Sequence, residues 1–175
     1  YKRQAFNLAR EKSSHIVKAA KSATIANILA PLLCIPMFRD QVDAYKFDVW
    51  LSYMAVVVAV RTMIVFSMPT ENEQIVNPEA DLKKISVTIG MVGLGWGLGW
   101  PLMTPDLGMV DRMIYVYMTT AAMISSMFAY SVNRPTFYAF TLPIMIPAMS
   151  TLLWPTQIFP WPFSVGLAAL YLVVL

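Results

Sequence analysis

The chain has 175 residues, 58% of them hydrophobic and only 13% charged, with a mean hydropathy of +0.58. Soluble domains carry about 25% charged residues, and a water-soluble chain this apolar would expose large adhesive patches, so the composition excludes an ordinary soluble domain. The net charge of +3 gathers ahead of the first apolar run, a placement that fits an anionic membrane surface; no recognition motif accompanies it, which argues against nucleic acid.

Residues 1–20 read as a basic juxtamembrane helix that lies at, or rises from, the inner membrane surface. Residues 21–175 read as a transmembrane helical domain. Its apolar runs fall near 21–38, 47–68, 83–104, 111–132, 136–154 and 159–175. A helix needs about 20 apolar residues to cross a hydrocarbon core of about 30 Å. The expected fold is therefore all-α, an integral membrane bundle of about six transmembrane helices. The first and fifth runs contain paired prolines, Pro31 with Pro36 and Pro143 with Pro147, which transmembrane helices tolerate. The connections are short, except for the polar, acidic stretch 69–82, so sequential helices should be antiparallel neighbours.

Orientation follows from Lys and Arg. With the N-terminus inside, ten basic residues fall on the inner side: Lys2, Arg3, Arg10, Lys12, Lys18, Lys21, Arg61, Lys83, Lys84 and Arg134. Arg39, Lys46 and Arg112 fall on the outer side. Both termini are then cytoplasmic, and all five tryptophans, Trp50, Trp96, Trp100, Trp154 and Trp161, lie toward the outer side. Tryptophan favours the membrane interface, where the ring is apolar and the N–H finds a polar partner.

Chemistry-bearing constellations are missing from the sequence. The one histidine, His15, sits in the basic segment, and the one cysteine, Cys34, sits in an apolar run. No metal motif, catalytic triad or cofactor signature is expected, and neither catalytic nor metal-ligating residues are assigned. No carboxylate lies deep in a span, which weakens a coupled-transporter reading.

The remaining candidates concern ligand binding or packing. Gly90, Gly93 and Gly97 share one face of the third run, beside a stripe of Trp96 and Trp100. Small residues at this spacing admit a second helix, in the same chain or in a partner, or leave a gap for a lipid-like ligand. Arg61 lies about 13 residues into the second run, about 20 Å deep at 1.5 Å per residue. It either snorkels to the inner surface or has a buried partner, such as a carbonyl freed by proline or a ligand headgroup. Pro143 and Pro147 either bend the fifth run or serve as a hinge.

The order of these features carries a resemblance. A basic start (YKRQAFNLAR) precedes a run ending in arginine (WLSYMAVVVAVRTMIVF) and a glycine–tryptophan run (GLGWGLGWPLMTP). A run with small residues (TTAAMISSMFAYSVNRP) and a proline-bent run (FYAFTLPIMIPAMSTLLW) follow. The pattern resembles the multi-span N-terminal sensor or anchor module of bacterial GGDEF (diguanylate cyclase), GGDEF-EAL and histidine kinase signalling proteins. The resemblance implies a multi-pass module in the bacterial inner membrane that relays a membrane or periplasmic signal. It further implies a homodimer and a cytoplasmic output domain beyond Leu175. These residues themselves carry no cyclase or kinase motif. The expected partners are the lipid bilayer, a second copy and a small hydrophobic ligand. The alternative is a structural or accessory subunit of a larger membrane complex.

Overall fold

The computed structural model describes residues 2–70 and 75–153, together with Val165, Gly166 and Ala169. Six helices make up these residues: α1 (Lys2–Ser22), α2 (Thr24–Phe38), α3 (Ala44–Ser67), α4 (Pro78–Met103), α5 (Met109–Tyr130) and α6 (Arg134–Leu153). The sixth predicted span, 159–175, and Trp154 and Trp161 lie outside the described residues apart from the three just named.

Four segments are long and apolar enough to cross a membrane by length and composition: Phe6–Phe38, α3, α4 and α5. The first is a rod of 33 residues that joins α1 to α2. Its hydrogen-bond ladder continues through the joint, where Ala23 N donates to Ala19 O and Asn27 N donates to Ala23 O. The basic segment thus rises into the bundle. Its buried stripe of Ser13, Ile16, Val17 and Ala20 follows helical spacing. The same helix holds the long α3–α4 connection: Arg10 Nε donates to Ile75 O, Ser14 Oγ to Thr70 O and Lys21 Nζ to Met68 O.

Helix starts follow local signals. Asp43 caps α3 by accepting from Lys46 N, and Asn77 caps α4 by accepting from Ala80 N. Pro78 opens α4, and Glu79 and Asp81 occupy its first turn, where carboxylates suit the helix dipole. The helix therefore begins five residues before the apolar run does, because apolarity marks bilayer depth and capping marks the helix end.

The outer faces are apolar. Ile25, Leu29, Val56, Met63, Phe128 and Ile146 are all exposed. The interior, by contrast, holds Thr24, Arg61, Thr88, Thr119, Ser126 and Thr141. Apolar outside and partly polar inside is the arrangement a bilayer favours, since lipid tails do not drive leucine inward.

α4 is the central helix. A Cβ on Gly90 would sit 3.1 Å from Ala139 O, while a Cβ on Gly93 or Gly97 would collide with Phe140 O or Pro143 O. The α4–α6 seam is therefore backbone against backbone. Ala139 and Pro143 stand four residues before Pro143 and Pro147, whose missing N–H groups leave those two carbonyls without their helical donors. Gly90 and Gly97 face those same two carbonyls, and the absence of a side chain at each lets the backbones approach. The glycine row and the proline pair, separate features in the sequence, form one interface.

At the opposite end from α1, the α2–α3 and α4–α5 connections meet. Lys46 Nζ pairs with Asp106 Oδ2 at 2.8 Å, and Asp43 N donates to the same oxygen at 3.4 Å. Asp106 is held below its ordinary value of 3.8, chiefly by the Lys46 hydrogen bond, with smaller help from Asp43 N. A lowered carboxylate pKa stabilises the fold above the unfolded value and loses that contribution as pH falls through the folded one. Asp106→Asn should thus cost under about 1 kcal/mol at neutral pH, the pair being partly exposed. The difference between variant and native chain should shrink as the pH falls below the ordinary carboxylate value of 3.8, as read by thermal melts in detergent across the acid range.

Candidate functional site

A cavity of about 300 Å³ lies between α2, α3, α4, α5 and α6. Its front walls are small. The joint between α1 and α2 contributes Ala23, α2 contributes Ala26, Asn27 and Ala30, and α5 contributes Ala121, Ala122, Ser125, Ser126 and Ala129. Ile89, Val92 and Phe140 form the back. Trp96 and Met118 lie at the upper end, while Arg61 and Tyr130 lie at the lower end, nearer α1. Ala26, Ala121 and Ser125 are exposed, so the cavity is a cleft open to the side between α2 and α5. The spacing from Met118 to Tyr130 on α5 makes it about 18 Å long, parallel to the helices.

Arg61 is 1% exposed and is among the largest fully buried side chains. It does not snorkel out. Its guanidinium donates to Ala20 O at 3.1 Å, to Thr24 Oγ1 at 3.4 Å and to Tyr130 Oη at 3.5 Å. Two of these contacts are long, and all three acceptors are neutral. Among the described residues the ion pairs are Arg39–Asp48 and Lys46–Asp106, so no carboxylate compensates Arg61. A buried cation without a counter-ion costs several kcal/mol, and intramembrane ionisable residues are accordingly tied to function.

The structure divides the sequence-predicted candidates among three places. Arg61 and Trp96 share the cleft. Gly93, Gly97, Pro143 and Pro147 belong to the α4–α6 seam, which favours the intramolecular packing reading of the glycines. Trp100 belongs to an aromatic cluster with Tyr115, Trp96, Trp50 and Phe47. Trp50, Trp96 and Trp100 are at most 3% exposed, so they fill the core and do not form an interfacial belt. Trp50 Nε1 finds its partner inside, donating to Gly95 O at 2.8 Å, and the main-chain O of Trp96 accepts from Tyr115 Oη at 2.6 Å.

Sequence reasoning missed Tyr130, Asn27 and the alanine face of α2. The signal was present at 23, 26 and 30 along the α1–α2 rod and at 122, 126 and 129 on α5, small residues at helical spacing on two helices.

No protein-family model matches the chain, and neither a curated protein nor a solved structure gives a significant match. The cleft must be interpreted on its own chemistry.

Proposed function

We propose that the chain is the membrane-embedded input module of a signal-transduction protein, in which occupancy of the α2–α5 cleft shifts helix packing. The observation that carries this reading is the buried, uncompensated Arg61 at one end of an open, small-walled cleft. A ligand acts as a signal only if it binds two arrangements with different affinity. A cleft bounded by two helices with small-residue walls supplies such arrangements, since α2 can close on α5 when the space is empty. The sequence resemblance supports a cytoplasmic output of the diguanylate cyclase or histidine kinase type, in a homodimer in a bacterial inner membrane.

The Lys and Arg bias supports six spans with both termini in the cytoplasm. Reporter fusions within 39–43 or 105–108 should then behave as external and fusions within 131–133 as cytoplasmic. A cytoplasmic signal from 105–108 contradicts the topology.

The relay itself is tested with nitroxides at Ala26→Cys and Ser125→Cys in a Cys34→Ala background. Electron spin distances are measured in nanodiscs of total bacterial lipid extract and in nanodiscs of one uncharged phospholipid. Two distance populations whose ratio changes between the membranes support a responsive module. One unchanging distance supports a passive anchor or accessory subunit.

A further inference from the structure

We infer that the α2–α5 cleft takes a single-chain anionic amphiphile, of the long-chain carboxylate class, with its headgroup on Arg61 and its tail directed toward Trp96. The inference rests on the ligand-responsive reading above and names the ligand class.

Three observations converge. The charge at the lower end is positive and has no carboxylate partner among the described residues, so an anion completes it. A guanidinium presents five donors in a planar fork suited to a carboxylate, and a charge-assisted pair replaces contacts that are now long. Tyr130 Oη accepts from Arg61 and keeps its own proton to donate to a ligand oxygen.

The second observation is polarity along the length. Above Arg61 the walls are alanine, serine, isoleucine, valine, methionine and aromatic carbon, with one amide, Asn27, whose Nδ2 donates to Ala23 O. These surfaces accommodate a tail and offer a second charge nothing. The cleft runs parallel to the helices, with its charged end about 9 Å from the end of α3 by helix rise. A leaflet lipid on that side has the same orientation, with its head near the surface and its chain toward the midplane. Entry through the gap at Ala26, Ala121 and Ser125 then needs no passage through water.

The third is size. A volume of about 300 Å³ is at the lower end of ligand pockets, about 300–1,000 Å³. One chain fits within it and a two-chain phospholipid does not.

The probe is a 16-carbon carboxylate bearing a diazirine near its methyl end, photolysed with the whole chain in nanodiscs and read by peptide mass spectrometry. Labelling should saturate and concentrate on the α2 and α5 peptides lining the cleft. Unlabelled palmitate should compete, while its methyl ester and a two-chain anionic phospholipid should not. Arg61→Gln should weaken half-saturation about tenfold or more, the scale of a lost hydrogen bond to a charged group. Ala122→Phe, which fills the cleft and leaves Arg61 in place, should abolish saturable labelling; Leu94→Ala, outside the cleft, should leave it unchanged. Equal competition by the methyl ester overturns the anionic headgroup, and competition by the phospholipid overturns the single chain. Non-saturable labelling indifferent to Ala122→Phe overturns the site. Cysteine cross-linking from position 125 to residues 159–175 or to a second copy puts a helix in the cleft and overturns the ligand. The two proposals separate in their failures: saturable labelling with an unchanging Ala26–Ser125 distance removes the relay alone. A lipid-dependent distance without carboxylate labelling removes the ligand class alone.

Discussion

Gly97→Leu is expected to destabilise the detergent-solubilised bundle by about 3 kcal/mol, near the upper end of ordinary overpacking costs. The corresponding drop in melting temperature is roughly 10 °C for a chain of this size. The cause is local and backbone-based. A Cβ at Gly97 collides with Pro143 O, and no side-chain rotamer relieves a clash with a main-chain carbonyl. α4 and α6 must separate, and the close backbone packing of the seam is lost. Gly93→Leu meets Phe140 O in the same way. Leu94→Ala is the contrast, since Leu94 is 41% exposed on the outer face and should shift the melt little. Equal melting of Gly97→Leu and Leu94→Ala would remove the seam from the account.

Arg61 yields the second large effect, and it is an ordering. In ligand-free detergent, Arg61→Met should be at least as stable as the native chain, and Arg61→Lys should be less stable by about 1–3 kcal/mol. Methionine removes the buried charge along with its hydrogen bonds, and replacing buried charge by apolar volume is often neutral or stabilising. Lysine keeps the charge but cannot reach Ala20 O, Thr24 Oγ1 and Tyr130 Oη together with one compact ammonium. A snorkelling arginine predicts a different result, with lysine equal to arginine. Thermal melts of the three chains in one detergent decide between them. A residue whose removal leaves the fold intact or stronger is retained for something other than stability.

Much of the architecture was legible from the apolar runs. Five of the six predicted runs coincide with α2 to α6 within a few residues, because short polar connections end each run, and four segments have the length and apolarity of a span. Arg61 was visible for the same reason: a charge in an apolar run stands out. Its surroundings were not visible, because tyrosine, serine and alanine are common in spans and become a site only when two helices face each other. The glycine row and the proline pair were each legible, while their meeting was not. Which carbonyl faces which glycine depends on the register between α4 and α6, and nothing local to either helix sets that register. The tryptophans show the limit of a composition rule. An indole N–H needs a polar partner, and at Trp50 a buried carbonyl in the core provides it as well as an interface would.

On the proposed reading, the cleft is held open around a ligand whose charge complements Arg61. An electron cryomicroscopy structure of the chain in nanodiscs of total bacterial lipid extract tests it most directly. The account predicts elongated density between α2 and α5, ending within hydrogen-bond distance of the Arg61 guanidinium. Direct packing of residues 23–30 on α5 residues 121–129, with Arg61 turned out to the headgroup region, would contradict it.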